Sequence, residues 1–139
     1  MSSATREPED MLAEVDLFSG LSPRQARKLV DRGRTVPHES GQQVAAEGLG
    51  SLAFHLVLDG RATVSVGGKE VRTLGSGDYF GEISMIDGKP RSATVTATEP
   101  MTTLAIPHQE FERLLADEPE FASALLKTLC ARLREAESR

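Results

Sequence analysis

The sequence predicts an α+β protein, an antiparallel β roll with helices at its N- and C-terminal ends. Three observations predict it. Apolar residues keep helical spacing up to about residue 33 and again after Pro107. Between these segments, short alternating runs are separated by glycines every few residues. One stretch inside the glycine-rich region, beginning at Gly81, breaks the alternation and is long enough for a helical turn. Many short strands joined by tight turns argue for a roll or barrel rather than an open sheet.

The elements follow in order. Residues 1–8 are small, polar or charged and read as a flexible arm. Residues 9–139 read as a single domain, with helices over 9–33, the roll over 34–107 and C-terminal helices over 108–137. Met11, Leu12, Val15 and Leu17 fall near helical spacing. Ser22-Pro23 starts a second helix, with Ser22 as N-cap and Pro23 at the first helical position, and Gly33 ends it. This helix carries Arg24, Arg27, Lys28, Arg32 and nearby Arg34 against Asp31, a stripe that reads as a solvated basic face.

In the roll, Phe54, Leu56 and Leu58 alternate with His55, Val57 and Asp59. Asp59-Gly60 is a two-residue hairpin signal before Ala62, Val64 and Val66, and Gly67-Gly68 marks another turn. Val71 to Leu74, Ala93 to Thr98 and Met101 to Ile106 are further strands. Beyond Pro107, Phe111, Leu114 and Leu115 share a helical face, which ends near Glu118-Pro119. Phe121, Leu125, Leu129 and Leu133 then repeat every four residues. Leu126, Leu129, Leu133 and Ala136 also fit a short a/d seam, which either packs on the roll or pairs with a second copy.

Composition excludes several classes. The chain has 139 residues, 39% hydrophobic and 27% charged, the balance of a folded globular protein. A formal net charge of −5 argues against nucleic-acid binding through bulk charge. The chain stops before a helix-turn-helix could follow the last helix, so direct contact with nucleic acid is not expected. No apolar run approaches the roughly 18 residues that span a bilayer, and the polar N-terminus lacks a hydrophobic signal core. The expected compartment is the cytoplasm, with no membrane contact. The single cysteine, Cys130, excludes an internal disulfide and reads as a small core or interface residue. His38, His55 and His108 are scattered without a His-x-His pair, so no metal is expected. No nucleophile–base set has supporting context, so no catalytic residue and no enzyme are expected.

The chemistry concentrates in Gly75 to Val95. A short helix starting at Gly81 leaves free backbone N–H groups at its start, a favourable place for an anion. Gly81 lets a ligand approach the backbone closely. Arg91 offers a planar fork of donors matched to phosphate oxygens. Glu82 would repel a phosphate but can accept hydrogen bonds from a hydroxyl pair. A phosphate binder and a hydroxyl acceptor nine residues apart on one insert describe a site for a ribose phosphate. The spacing Gly75-x-Gly77-x-x-x-Gly81 is one residue too long for the dinucleotide fingerprint.

The run Phe80-Gly-Glu-Ile-Ser-Met-Ile-Asp-Gly-Lys-Pro-Arg-Ser-Ala-Thr-Val95 resembles the phosphate-binding cassette of cyclic nucleotide-binding domains. That family includes the regulatory subunits of cyclic-AMP-dependent kinase and the bacterial catabolite activator proteins. Leu74-Gly-x-Gly-Asp-x-Phe-Gly-Glu82 extends the likeness backwards. The resemblance implies an eight-stranded, jelly-roll-like β roll with a short phosphate-binding helix inserted in it. It implies a ligand site of Phe80, Gly81, Glu82, Ile83, Ser84, Arg91, Ser92 and Ala93. Glu82 would bind the ribose 2′-hydroxyl and Arg91 the cyclic phosphate, with main-chain N–H groups of Gly81, Glu82, Ser92 and Ala93 completing the cradle. In the family a threonine after the arginine often accompanies a preference for cyclic GMP, so Ser92 points to cyclic AMP, with cyclic GMP as the alternative. The base is usually covered from the C-terminal helix, where Leu133, Ala136 and Glu137 are the nearest candidates.

The resemblance implies a stand-alone, non-enzymatic cyclic nucleotide sensor in signal transduction that transmits occupancy through its C-terminal helices. Its partner would be a second copy, joined through the last helix, or an unidentified effector protein. The alternatives are a protein-interaction module with this fold, or a regulator fragment whose DNA-binding domain lies elsewhere.

Overall fold

The computed structural model describes residues 7–45, 52–90 and 93–138. Most of the arm read over 1–8 lies outside them, as do Arg91 and Ser92. The elements run α1 (Pro8–Leu12), a 3-10 turn (Asp16–Phe18), α2 (Pro23–Asp31), β1 (Arg34–His38), β2 (Gln43–Ala45), β3 (Ala53–Asp59), β4 (Ala62–Val66), β5 (Lys69–Leu74), β6 (Tyr79–Phe80), α3 (Glu82–Asp87), β7 (Thr94–Ala97), β8 (Met101–Pro107), α4 (His108–Asp117) and α5 (Pro119–Glu137). Among the described residues, eight strands form two four-stranded sheets, β1-β8-β3-β6 and β2-β7-β4-β5. All pairings are antiparallel.

The first sheet is covered on both faces. Phe54, Leu56, Leu104 and Ile106 pack with Leu12, Phe18, Leu29, Phe111 and Phe121 of the helical layer. Phe18 meets Phe54 edge to face at 5.3 Å. Val57, Phe80 and Met101 join Ala62, Val64 and Val95 of the second sheet in the interior of the roll. Ala53 through Val57 are therefore all buried, although they alternate in sequence.

Several local readings change. The Met11–Leu17 pattern is not one helix. α1 ends at Leu12, and Val15 is extended at ψ 126°, which brings Leu17 and Phe18 into the core through a 3-10 turn. Asp59-Gly60 does not close a hairpin, because β3 and β4 belong to different sheets. Gly60, at φ +95°, carries the chain across in a space where an added Cβ would lie 2.5 Å from Met101 Cα and Pro100 O. Gly67-Gly68 does close a hairpin, with Val66 paired to Lys69 and both glycines at positive φ.

The basic stripe of α2 is not simply solvated. Arg27 binds Glu9 at 2.6 Å, Lys28 binds Glu118 at 2.9 Å, and Arg32 binds Asp117 at 2.8 Å with Glu110 at 3.6 Å. These three bases face carboxylates on α1, on α4 and at the α4–α5 joint. The hydrogen bond to Asp117 leads the effects that raise the pKa of Arg32. As expected, Ser22 caps α2: its Oγ accepts from Gln25 N, and Gln25 Oε1 accepts from Ser22 N.

α5 leaves the core partway along its length. Phe121 and Leu125 are buried and Leu129 packs partly against the core, but Leu126 and Leu133 are each 63% exposed. Cys130, next to Leu129 on the helix, is exposed and is not a core residue. No helix among the described residues is long and apolar enough to cross a membrane.

Candidate functional site

The site grows from the way β6 is held. Gly77 N–H donates to Val57 O and Val57 N–H to Asp78 O, each at 2.8 Å, which ties the Gly75–Asp78 turn to β3. Asp78 Oδ2 accepts from Gly75 N and closes the turn. Gly77 sits at φ +91°, a conformation that favours glycine. The next two residues pair with the edge of the first sheet, Tyr79 opposite Leu56 and Phe80 opposite His55. Phe80 turns into the roll and stacks on His55.

Gly81 then adopts φ +85° as the N-cap of α3. A side chain there would be strained, and the turn aims the chain from strand into helix. Gly88 closes the other end at φ +71°. Within the six-residue helix, Met85 faces the core with no exposed surface, Ser84 is buried, and Ile83 is 66% exposed.

A cavity of about 410 Å³ lies between α3 and the inner face of the second sheet. Phe80, Gly81, Glu82, Ile83, Ser84 and Ala93 all line it. These are the six expected site residues that fall among the described ones. Its volume is within the usual range for a small-ligand pocket. The reading missed the opposite wall. Val64, Val95 and Arg72 line the cavity from β4, β7 and β5, and Val64 is in register with both Val95 and Arg72. The inward alternation of Ala62 and Val64 was the available signal for this wall. Asp87, Lys89 and Pro90 complete the rim.

The wall is apolar at Val64, Val95 and Ala93, while the rim carries Glu82 and Asp87 against Arg72 and Lys89. Such a cavity can take a ligand with one flat apolar part and one polar, hydroxyl-bearing part. Tyr79 lies at its edge, and burial raises its pKa above the usual phenol value. The charge of Glu82 raises it further, and that of Asp16 does so more weakly; Arg132 and Arg72 act in the opposite sense. α5 thus brings the charge of Arg132 to this corner. Among the described residues, none of α5 lines the cavity, so Leu133, Ala136 and Glu137 do not cover it in this structure. No group of three or more His, Cys, Asp or Glu among the described residues could hold a metal ion.

Three comparisons bear on the site. The sequence profile of the cyclic nucleotide-binding domain matches residues 35–118. The cAMP-dependent protein kinase regulatory subunit of Eremothecium gossypii is 40% identical over 108 residues, which cover 77% of this chain and 24% of that protein. The cGMP-dependent protein kinase of Toxoplasma gondii is 33% identical over 111 residues, covering 80% of this chain and 11% of that protein. The chain therefore spans a quarter or less of these relatives' length. The crystal structure of the N-terminal domain of a transcriptional regulator from Streptomyces coelicolor A3(2) superposes with a TM-score of 0.84 at 28% identity, covering 93% of this chain and 94% of that one.

Proposed function

The chain belongs to the cyclic nucleotide-binding domain family, and from that membership we propose that it is a cyclic AMP sensor that passes occupancy to α4 and α5. The carrying observation is the convergence of Phe80, Gly81, Glu82, Ile83, Ser84 and Ala93 on one cavity beside α3. In this reading Glu82 accepts hydrogen bonds from the ribose 2′-hydroxyl. Arg91 pairs with the cyclic phosphate through a bidentate, charge-assisted contact. Main-chain N–H groups of Gly81, Glu82, Ser92 and Ala93 complete the phosphate cradle. The purine rests against Val64, Val95 and Ala93.

Relatives named for either nucleotide are similar to this chain, so the preference for cyclic AMP rests on Ser92. The role is binding without catalysis. Occupancy tightens the cassette and biases the packing of Met85 and Ile86 against the C-terminal helices, by as much as the nucleotide's affinity differs between the two packings. The partner is a second copy or an effector docked on α5, a reading supported by Leu126 and Leu133, exposed one heptad apart.

Calorimetric titration with cyclic AMP and cyclic GMP, beside R91A, tests the proposal. Cyclic AMP binds the native protein more tightly, and R91A costs about 2–5 kcal/mol of binding free energy, the penalty for deleting one member of a buried charge pair. An R91A affinity within a few-fold of native overturns the site assignment. The absence of heat with either nucleotide overturns the sensor.

A further inference from the structure

His108 is the first residue of α4, directly after β8. Its backbone N–H donates to Leu52 O at 2.7 Å, which fixes the β8–α4 corner to the start of β3. Its side chain reaches across to the cassette helix, where Nδ1 lies 2.6 Å from Met85 O. A carbonyl only accepts, so the geometry places the proton on Nδ1. Met85 O lies in the last turn of α3, where helix carbonyls lack intrahelical partners. The ring also packs over Gly88, the residue that ends α3. A Cβ added to Gly88 would lie 2.9 Å from His108 Nε2 and 3.0 Å from Cε1. Glu112, one turn along α4, brings Oε2 to 3.5 Å from Nε2. One side chain thus grips the end of the cassette helix by a hydrogen bond and by close packing, while its backbone belongs to the sheet and to α4.

We propose that His108 is the positioning residue that couples the nucleotide cassette to the C-terminal helices. This deepens the sensor reading and rests on it. The N-cap Gly81 and the first turn of α3, with Glu82, Ile83 and Ser84, line the cavity. A ligand that tightens that end strengthens the Met85–His108 contact, and with it the first turn of α4. Nucleotide affinity and the order of α4 are then one equilibrium joined through this bond.

The test uses cyclic AMP as the probe and three variants. H108N keeps a donor at the Nδ1 position, H108F keeps a ring without a donor, and H108A removes both. Calorimetry gives affinity, and amide hydrogen exchange with and without cyclic AMP gives the order of α4. A lost hydrogen bond of ordinary strength predicts a weakening of about three- to tenfold in H108A and H108F, with H108N within about twofold of native. Cyclic AMP slows exchange in α4 of the native protein and of H108N, and this protection is lost in H108A and H108F. Where H108A does not fold, the contrast between H108N and H108F decides alone, because a merely space-filling role would favour the ring. H108F that binds and protects α4 as native does overturns the coupling and leaves the sensor standing. A native protein that gives no heat with cyclic AMP overturns both.

Discussion

The imidazole of His55 lies nearly parallel to the ring of Phe80, with centroids 4.8 Å apart and planes 13° from coplanar. His55 Nδ1 also sits 3.2 Å from Thr103 Oγ1, and His38 Nε2 sits 3.0 Å from the same oxygen. One inward residue from each strand of the first sheet thus forms a row, His38–Thr103–His55–Phe80, that ends where the cassette begins. The position of Phe80 is set by the middle of the sheet, not only by its own two-residue strand.

F80A is therefore expected to destabilise the fold by ~3–5 kcal/mol, the usual cost of removing a buried phenylalanine. It should also weaken cyclic AMP binding, since Gly81 and Glu82 follow directly. Urea denaturation and calorimetry on one preparation check both, and a loss under ~1 kcal/mol would remove Phe80 as the anchor.

Burial lowers the pKa of His38 from 6.5. Its Nδ1 is buried without a hydrogen-bond partner among the described residues. Below that unfolded value the unfolded chain takes up a proton that the folded protein resists. The sign follows directly: this contribution to stability is full above the unfolded pKa and is lost as pH falls, levelling off below the folded pKa. The urea midpoint is expected to drop between about pH 7.5 and pH 5.5, and to drop less in H38Q, whose amide can still reach Thr103. Parallel pH curves for the two proteins would refute this role for His38.

Two glycines at positive φ should respond differently to alanine. Gly68, at φ +79°, has open space around its missing Cβ, so G68A should cost ~1–2 kcal/mol, the left-handed backbone penalty alone. Gly60 adds contacts of 2.5 Å to backbone atoms, and G60A should cost a further ~1–3 kcal/mol for overpacking. Equal melting temperatures for the two variants would contradict the sheet-crossing role of Gly60.

Tyr79 is the only tyrosine in a chain without tryptophan. Its ionisation can therefore be followed in the ultraviolet without interference from other phenols. Burial and Glu82 both raise its pKa, so E82Q should lower it part of the way back towards the ordinary phenol value and leave the effect of burial. An unchanged titration in E82Q would show that the Glu82 carboxylate does not act on Tyr79.

Local chemistry made much of this legible. The cap at Ser22-Pro23, the break at Glu118-Pro119 and the Gly67-Gly68 hairpin depend on neighbours within a few residues. The cassette was legible for the same reason: Phe80 to Ala93 carries its turn glycines and the side chains proposed to meet the ligand in one continuous run. The strands that escaped the reading are those whose pairing lies elsewhere. β1 contains Pro37 and is mostly exposed, β2 has three residues and β6 only two. They are strands because β8, β7 and β3 offer them partners, and such pairing leaves little trace in a short run.

The start of α2 at Ser22-Pro23, the break between α4 and α5 at Glu118-Pro119 and the presence of a roll between helices were all written in the sequence. Those properties come from backbone conformational preference and the spacing of polar and apolar groups, which act over a turn or less. The folded molecule was needed to show that Asp59-Gly60 crosses between sheets, that Arg27, Lys28 and Arg32 meet Glu9, Glu110, Asp117 and Glu118, and that Val64, Arg72 and Val95 close the cavity. It alone brought His108 against Met85. These contacts join residues far apart in the chain, and their partners are selected by packing and charge in three dimensions, which no local pattern encodes.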